Sequence, residues 1–377
     1  MHNLAVSFDS EVRKKVLSAY FLGLHTLESN IDAEQVPRPK ESALLTAALK
    51  GEASVYAIFG GQGTNEVYFD ELQSLYDIYR PYVEPLIRSL TTEVFNPLAE
   101  KADFDGYTYY AHGMDVISWL DGTNPKPSVD YFASIPISFP LIGLTQLVQY
   151  AIIIRISNLT PGDLRSRIGG ATGHSQGLVS AVAISASDSF ESFETNTLKA
   201  LKWLFYCGLR GQEAFPTLAI EPSIVADSID GGEGVPTPML NVAGLSLQTL
   251  EAEIKKTNKH LPENSQLGIS LYNGPKINVV TGPPRALYGL ATALRKIRAP
   301  SGADQSKIPH SQRKAVFSMR FLAVGVPYHS HYLKDAADKL CEEDLKGEEL
   351  WTSDELNIAV FHTESGEKGN ERSKLRN

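Results

Sequence analysis

The order of apolar and polar positions along the chain predicts a mixed α/β protein. Helices are predicted at residues 10–27, 68–79, 83–102, 140–157 and 191–205. A short apolar run at residues 55–59 ends in glycines and predicts a strand. The most apolar stretch contains Gln146, Gln149 and Arg155, so we interpret it as a buried core helix that is too short to cross a bilayer.

A second block with its own periodicity covers residues 237–326. Strands are predicted at 239–242, 267–272, 277–281 and 315–326, and helices at 246–257 and 285–297. The resulting order, βαββαβ, is that of a ferredoxin-like subdomain. We therefore expect an α/β core that is interrupted by this smaller unit.

The pentapeptide GHSQG at residues 173–177 is the strongest candidate for chemistry. It has the form G-x-S-x-G and is followed by a helix of small residues, which is the setting of a serine nucleophile on a sharp strand-to-helix turn. Glycine allows the close passage of strand and helix, and the helix N-terminus would face a developing oxyanion. An ordinary turn between a strand and a helix is the alternative.

Composition narrows the function classes. The net charge of −9 argues against nucleic acid as a partner, because binding to nucleic acid depends on cationic side chains that neutralise phosphates. The only cysteines are Cys207 and Cys341, so we expect neither a disulfide framework nor a metal site. The N-terminus lacks the pattern of a signal peptide, and we expect a cytoplasmic protein without a membrane partner.

Two further segments place the serine motif in a family. Residues 56–63 (YAIFGGQG) form a strand that ends in a glycine turn, and residues 326–331 (VPYHSH) carry histidines. Strand–GQG, GHSxG and aromatic–HS in this order resemble the acyl-CoA:carrier-protein transacylases. Four segments resemble the acetyltransferase domain of the fungal fatty acid synthase β subunit, and equally its relatives that load starter units in polyketide pathways: residues 134–143, 170–178, 234–240 and 299–306.

The resemblance runs from about Glu41 to about Phe361 and implies a fold. The fold class is α/β, with an α/β-hydrolase-like acyltransferase core and a ferredoxin-like (βαββαβ) inserted subdomain. The implied regions are an N-terminal helix and linker (1–42), the core (43–236 and 327–361), the subdomain (237–326) and a disordered tail (362–377).

The resemblance also implies the reacting groups. Ser175 is the expected nucleophile and His329 the general base, with His331 as the rival histidine. The backbone N–H groups of Gln62 and Gln176 are the expected oxyanion hole. We interpret His174, which precedes the serine, as a residue packed beside the turn.

Substrate-binding positions follow from the same resemblance. Malonyl-transferring relatives carry an arginine where this chain has Cys207, and Arg210 lies one turn away. An uncharged acyl group such as acetyl is therefore expected, because a buried carboxylate without a cation is costly. Asn273 is a candidate for substrate binding, with a turn asparagine as the alternative.

The expected reaction is the loading of acetyl, or another uncharged starter, from acyl-CoA onto the phosphopantetheine of an acyl carrier protein, as an [acyl-carrier-protein] S-acetyltransferase. No permanently bound cofactor is expected. The synthase α subunit is a further expected partner. Two alternatives stay open: a serine esterase or thioesterase, and a truncated non-catalytic piece of a β subunit, since the family continues beyond the segment resembled here.

A cluster of basic residues near the end of the subdomain offers a second kind of site. A solvated surface and a docking surface for coenzyme A phosphates or an acidic carrier protein are the two interpretations. The cluster consists of Arg295, Lys296, Arg298, Lys307, Arg313, Lys314 and Arg320.

Overall fold

The computed structural model describes residues 9–32, 35–36, 41–63, 65, 67–103, 109–300, 302–363 and 366. The chain divides into two compact units, the first formed by Met1–Gly208 and Gly347–Asn377 and the second by Leu209–Lys346. Parts of the predicted linker (33–34 and 37–40) and nearly all of the predicted tail (364–365 and 367–377) lie outside the described residues.

The first unit consists of helices around a small parallel sheet. Its elements are α1 (Ser10–Asn30), α2 (Ala43–Leu49), β1 (Tyr56–Phe59), α3 (Tyr68–Leu90), α4 (Asn96–Asp103), α5 (Val116–Asp121), α6 (Val129–Ala133), α7 (Ile135–Ile156), α8 (Pro161–Arg165), β2 (Gly170–Gly173), α9 (Gly177–Ser185) and α10 (Phe190–Ala214). A π-helical turn, Thr91–Phe95, joins α3 to α4, and the boundary between the units falls within α10.

Strand β1 pairs with β2 in parallel, so that Phe59 lies beside Gly173. On the other side of β2, Val360 forms a parallel bridge with Ala171, and the Thr172 hydroxyl donates to the Phe361 carbonyl over 2.9 Å. Since the carboxyl ends of parallel strands meet at one edge, the segments that follow β1 and β2 are brought together there.

Helix α7 begins at Ile135, earlier than the expected residue 140, because Pro136 is well placed in a first turn and Pro140 is tolerated inside the helix. Its 22 residues make it the one described helix that is long and apolar enough to cross a membrane. The expectation that it is too short was therefore wrong. Its burial, 83% over its most apolar window, identifies it as a core helix.

Helix α3 replaces the first of two predicted helices and the start of the second. Its path is kinked at Tyr79, where φ is −112° and ψ is 21°. Pro81 and Pro85 follow within the helix, and each removes an N–H donor from the helical ladder. The predicted gap between residues 79 and 83 therefore corresponds to a bend and not to a loop.

The second unit is built on an antiparallel sheet with strand order β4-β5-β3-β6. Its elements are α11 (Pro222–Asp230), β3 (Met239–Ala243), α12 (Leu247–Asn258), β4 (Gly268–Gly274), β5 (Ile277–Thr281), α13 (Pro284–Ile297), β6 (Ser318–Phe321) and α14 (Lys334–Lys339). The Ser246 hydroxyl accepts from the Thr249 N–H and caps α12. The core of this unit includes Leu240, Val280, Leu287, Leu290 and Leu294.

The last strand of the second unit is shorter than expected. The last strand covers Ser318–Phe321 and not 315–326, because Ala315 bridges Arg298 and the Val324 N–H donates back to Leu322 in a tight turn. The compact unit also contains segments on both sides of residues 237–326. Helix α11 is joined to it by ion pairs of Arg295, and the Tyr332 hydroxyl donates to the Gln266 carbonyl over 2.8 Å.

Candidate functional site

The serine turn connects β2 to α9. Ser175 has φ +53°, in the left-handed region that non-glycine residues seldom adopt and that costs roughly 1–3 kcal/mol. Backbone hydrogen bonds hold it there: the His174 N–H donates to the Phe59 carbonyl over 2.9 Å, and the Leu178 N–H donates to the Ser175 carbonyl over 3.1 Å. The backbone around Ser175 is therefore fixed by the strand before it and the helix after it.

Three glycines around the turn are required by close approach. A Cβ on Gly173 would overlap the backbone of Gly177, and a Cβ on Gly177 would lie 2.5 Å from the Phe59 oxygen. A Cβ on Gly61 would lie 2.8 Å from the His174 Nδ1 and 3.2 Å from the Ser175 Cβ. The glycine loop after β1 thus passes directly beside the predicted nucleophile.

The two predicted oxyanion donors are joined through their side chains. The Gln62 Nε2 donates to the Gln176 Oε1 over 2.9 Å. Gln176 is buried, and its own Nε2 donates to the Phe139 carbonyl over 3.3 Å. The structure therefore brings Gln62 and Gln176 together beside Ser175 within the first unit.

Polar side chains of α7 and α9 also lie beside the glycine loop, and the sequence did not lead us to expect them there. The Gln146 Nε2 donates to the Gly60 carbonyl over 2.8 Å, and the Ser180 hydroxyl donates to the Gln146 Oε1 over 2.8 Å. The buried Ser138 hydroxyl lies 3.5 Å from the Gln62 Oε1. The sequence signal that could have pointed to these residues is a polar side chain inside an apolar helix. For Gln146 this signal was used only to argue against a membrane span.

Cys207 lies on α10 in the first unit and is partly buried. Burial raises the pKa of its thiol to about 12, so the side chain is neutral near pH 7. At the next residue, a Cβ on Gly208 would lie 2.9 Å from the Ile135 carbonyl oxygen, so α10 packs closely against α7 here. The position therefore offers a small, uncharged side chain with little free space beside its backbone.

Arg210 is fully engaged by acidic partners within the second unit. Its guanidinium donates to both carboxylate oxygens of Asp344, over 2.8 and 2.7 Å, and to Glu213 over 2.7 Å. Hydrogen bonds to Asp344 and Glu213 raise the pKa of Arg210 above its ordinary value. Its charge is thus matched by two carboxylates.

The histidine motif lies in the second unit, and the strand that was expected to reach it at residue 326 ends earlier. β6 ends at Phe321, and His329 is an exposed residue in a turn with φ +59°. Within the second unit, Tyr328 lies against Gly211, since a Cβ on Gly211 would lie 2.7 Å from the Tyr328 hydroxyl. His331 begins a 3-10 turn, and its ring lies 4.2 Å from that of Tyr332.

Asn273 also belongs to the second unit. It is an exposed residue within β4, whereas the turn of the hairpin falls on Pro275 and Lys276. The expectation that Asn273 lies in the turn was wrong. The strand continues as far as Gly274 because Gly274 still pairs with Ile277 across an irregular register.

Two members of the basic cluster are not available for docking. Arg295 pairs with Asp227 over 2.6 Å and with Glu233 over 2.5 Å, and Arg298 lies 3.2 Å from Glu233. Glu233 is completely buried, so these arginines neutralise a carboxylate that burial would otherwise penalise.

Within the described part of the chain, no group of three or more His, Cys, Asp or Glu residues could hold a metal ion.

A model of a known protein family matches more than half of the chain. Residues 57–315 match the family described as "Starter unit:ACP transacylase in aflatoxin biosynthesis". Among curated proteins, the chain is 44% identical to fatty acid synthase subunit beta of Saccharomyces cerevisiae, over 87% of this chain and 16% of that protein. It is 46% identical to the Schizosaccharomyces pombe subunit, over 84% and 15% respectively. The chain thus spans about one sixth of the length of these relatives.

Solved structures with a similar fold include two malonyl CoA-acyl carrier protein transacylases. The malonyl CoA-acyl carrier protein transacylase of Coxiella burnetii matches with a TM-score of 0.50 and 17% identity, over 84% of this chain and 75% of that one. The Clostridium perfringens enzyme of the same name also gives a TM-score of 0.50 at 17% identity, over 86% and 76%. At this identity the likeness concerns the fold, which is the α/β acyltransferase fold.

Proposed function

The chain belongs to the family of starter unit:ACP transacylases, and on that basis we propose that it transfers an acyl group from coenzyme A to an acyl carrier protein through an ester on Ser175. The observation that carries the proposal is the serine turn. Ser175 sits in a left-handed conformation between β2 and α9, with Gly61 of the glycine loop against it. This arrangement keeps a hydroxyl at the N-terminus of a helix, where negative charge is stabilised.

The proposed reaction has two steps. The Ser175 Oγ attacks the thioester carbonyl, the carbon–sulfur bond breaks, and coenzyme A leaves as a thiol that takes up the serine proton. The phosphopantetheine thiol of the carrier then attacks the ester carbonyl, the bond from the acyl carbon to the Ser175 Oγ breaks, and the thiol proton returns to Ser175 as the acyl group stays on the carrier. The backbone N–H groups of Gln62 and Gln176 would hold the oxyanion of each tetrahedral intermediate.

We assign the proton transfers to His329. Its support is the Tyr328-His329-Ser330 motif and the left-handed backbone at this position, which is a conformation that recurs at functional sites. His331 is not assigned this role, because its ring is packed on Tyr332. A general base of this kind typically contributes roughly 10²- to 10⁴-fold in rate.

We propose acetyl or another uncharged starter as the acyl group. Cys207 stands where malonyl-transferring relatives carry an arginine, and its thiol is neutral. Arg210, the nearest cation along the helix, is already paired with Asp344 and Glu213. A malonyl carboxylate would therefore lack the bidentate partner that a buried carboxylate needs. We also propose that Asn273 binds the substrate.

The division of the chain into a core and a subdomain is proposed from the resemblance to the same family. We propose that residues 237–326 form a ferredoxin-like subdomain, supported by the antiparallel order β4-β5-β3-β6 with helices after β3 and β5. We propose a cytoplasmic location, with acyl-CoA, a carrier protein and the fatty acid synthase α subunit as partners.

A labelling experiment tests the proposal against its alternatives. The purified chain is incubated with radiolabelled acetyl-CoA, with and without a carrier protein that bears phosphopantetheine. We expect label on the chain first and then on the carrier protein. Release of free acetate without labelled carrier would indicate a thioesterase, and a folded chain that takes up no label would indicate a non-catalytic piece.

Two serine variants complete the design. Ser175→Ala should keep the fold, as checked by circular dichroism, and lose both labelled species. Ser166→Ala changes an exposed serine at the end of α8 and should behave as the unmodified chain. Undiminished label on Ser175→Ala would refute the serine ester.

A further inference from the structure

Polar side chains of α7 and α9 form a short chain of hydrogen bonds that ends on the glycine loop. Ser180 of α9 donates to the Gln146 Oε1, and the Gln146 Nε2 donates to the Gly60 carbonyl, both over 2.8 Å. Ser180 is completely buried. These two hydrogen bonds connect α9, which follows Ser175, to Gly60, the first residue of the glycine loop.

A second chain of hydrogen bonds fixes the side chain of Gln62. Gln62 donates to Gln176 over 2.9 Å, and Gln176 donates to the Phe139 carbonyl of α7 over 3.3 Å. The Ser138 hydroxyl completes the surroundings of Gln62 at 3.5 Å, which is the outer limit of a hydrogen bond. Both chains of hydrogen bonds therefore pass through α7, most of which is buried and apolar.

We propose that Gln146, together with Ser138, Gln176 and Ser180, forms a latch that positions the Gln62 N–H relative to Ser175. We refer to these four residues as the α7 latch. Their side chains act as positioning groups, since they hold the loop. Of the four residues, only Gln176 is also proposed to contact the reacting atoms, and it does so through its backbone N–H. The catalytic consequence rests on the proposed function, because a fixed Gln62 N–H accelerates the reaction only if Ser175 carries the acyl group.

The loop needs such a restraint because of its composition. Residues 60–63 read GGQG, and glycine has the greatest backbone freedom of all residues. A hydrogen-bond donor stabilises an oxyanion only where it is already aimed at the position that the charge will occupy. A displacement of about 1 Å in such a site can cost roughly 100-fold in rate.

The same helix supplies a matched comparison. Gln149 lies close to Gln146 on α7, but its Nε2 donates to the Glu71 side chain over 2.6 Å and not to the loop. Both glutamines are partly buried. Substitution of each by methionine keeps the length of the side chain and removes its hydrogen bonds, so a difference between the two variants reports on the contact with Gly60.

The experiment uses the full 377-residue chain and two measurements. For Gln146→Met we expect single-turnover acylation by acetyl-CoA to slow by roughly 10- to 100-fold. KM should change by less than about twofold, because substrate binding is not the property removed. Deuterium exchange of the segment 56–63 should become faster. Gln149→Met should match the unmodified chain in both measurements.

Ser180→Ala is the second variant. Alanine is a good helix former, so α9 should persist, while Gln146 loses one of its two partners. We expect changes in the same direction as for Gln146→Met, but smaller. This variant keeps the test decisive if Gln146→Met does not fold.

The outcomes separate the latch from the proposed function. Equal exchange of segment 56–63 in Gln146→Met and Gln149→Met would overturn the latch, whatever the activity. Faster exchange with an unchanged acylation rate would overturn its positioning role. If the unmodified chain forms no acyl-enzyme, the proposed function fails, and the exchange comparison alone then decides whether the latch holds the loop.

Discussion

Ser175 and His329 share an uncommon backbone conformation but are held in different ways. Their φ angles are 53° for Ser175 and 59° for His329. Among the non-glycine residues that the structure describes, Asn158 alone shares a positive φ with them. The serine turn lies between β2 and α9, and a larger residue at Gly61, Gly173 or Gly177 would overlap its neighbours. The histidine turn is exposed and is held by local bonds, such as that from the Ser330 hydroxyl to the Pro327 carbonyl over 2.5 Å.

The difference indicates two ways of maintaining a strained residue. At Ser175 the strain is built into the connection of a strand to a helix, so the turn and the first unit should be lost together. At His329 the anchor is the neighbouring Tyr328, which packs against Gly211 within the second unit. Substitutions there should reduce activity while leaving the stability of the chain almost unchanged.

The largest effect is expected at Gly177. Its replacement by alanine would place a Cβ 2.5 Å from the Phe59 oxygen, and a backbone oxygen cannot move aside as a flexible side chain can. We expect Gly177→Ala to lower the free energy of unfolding by roughly 4 kcal/mol or more, in the range reserved for severe core defects. Denaturant unfolding followed by circular dichroism measures it.

Gly289→Ala is the matched control for this prediction. Gly289 lies in α13, and nothing would lie within 4 Å of an added Cβ. Alanine should raise the free energy of unfolding there by roughly 0.5–1 kcal/mol. A Gly177→Ala chain as stable as the unmodified chain would show that the serine turn is not fixed by close packing.

The next effect concerns the two histidines. His329→Ala should slow acyl transfer by roughly 10²- to 10⁴-fold, because the general base is removed. His331→Ala removes a ring that packs on Tyr332 and should slow the reaction only slightly. Both variants should melt close to the unmodified chain. Equal rate losses in the two variants would contradict the assignment of the base.

The smallest effect is a change in selectivity at Cys207. The unmodified chain should load acetyl faster than malonyl, and Cys207→Arg should shift the ratio of the two rates toward malonyl, because a cation could then pair with the carboxylate. Cys207→Gln is the uncharged control. Melting must be compared first, because α10 packs closely on α7 at the neighbouring Gly208.

If the unmodified chain loads malonyl as fast as acetyl, the selectivity argument from Cys207 fails. If Cys207→Gln shifts the ratio as far as Cys207→Arg, the shift comes from side-chain size and not from charge.

The sequence predicted the serine turn more completely than the histidine turn. The strand, the turn and the helix around Ser175 follow from local patterns: an apolar run, flanking glycines and small helical residues. The bounds of β6 do not, because Ala315 pairs with Arg298 before the strand begins and the Val324 N–H donates back to Leu322 after it ends. Apolar spacing alone therefore extended the strand too far.

Side-chain partners were the other limit of sequence reasoning. Arg295 and Arg298 are part of a basic cluster by sequence, but Glu233 and Asp227 neutralise them. Gln146 interrupts an apolar helix by sequence, but it holds the Gly60 carbonyl in the structure. Such pairings depend on which residues the fold brings together, and periodicity does not contain that information.

The most direct test of the central claim is to locate the acyl group. The chain is mixed with acetyl-CoA without a carrier protein, quenched in acid, digested and analysed by tandem mass spectrometry. The account predicts acetyl on the peptide that contains GHSQG, on the Ser175 Oγ, and its loss when the carrier protein is added before the quench. Acetyl on any other residue of a chain that transfers acyl groups, or transfer without an acetylated chain, would contradict it.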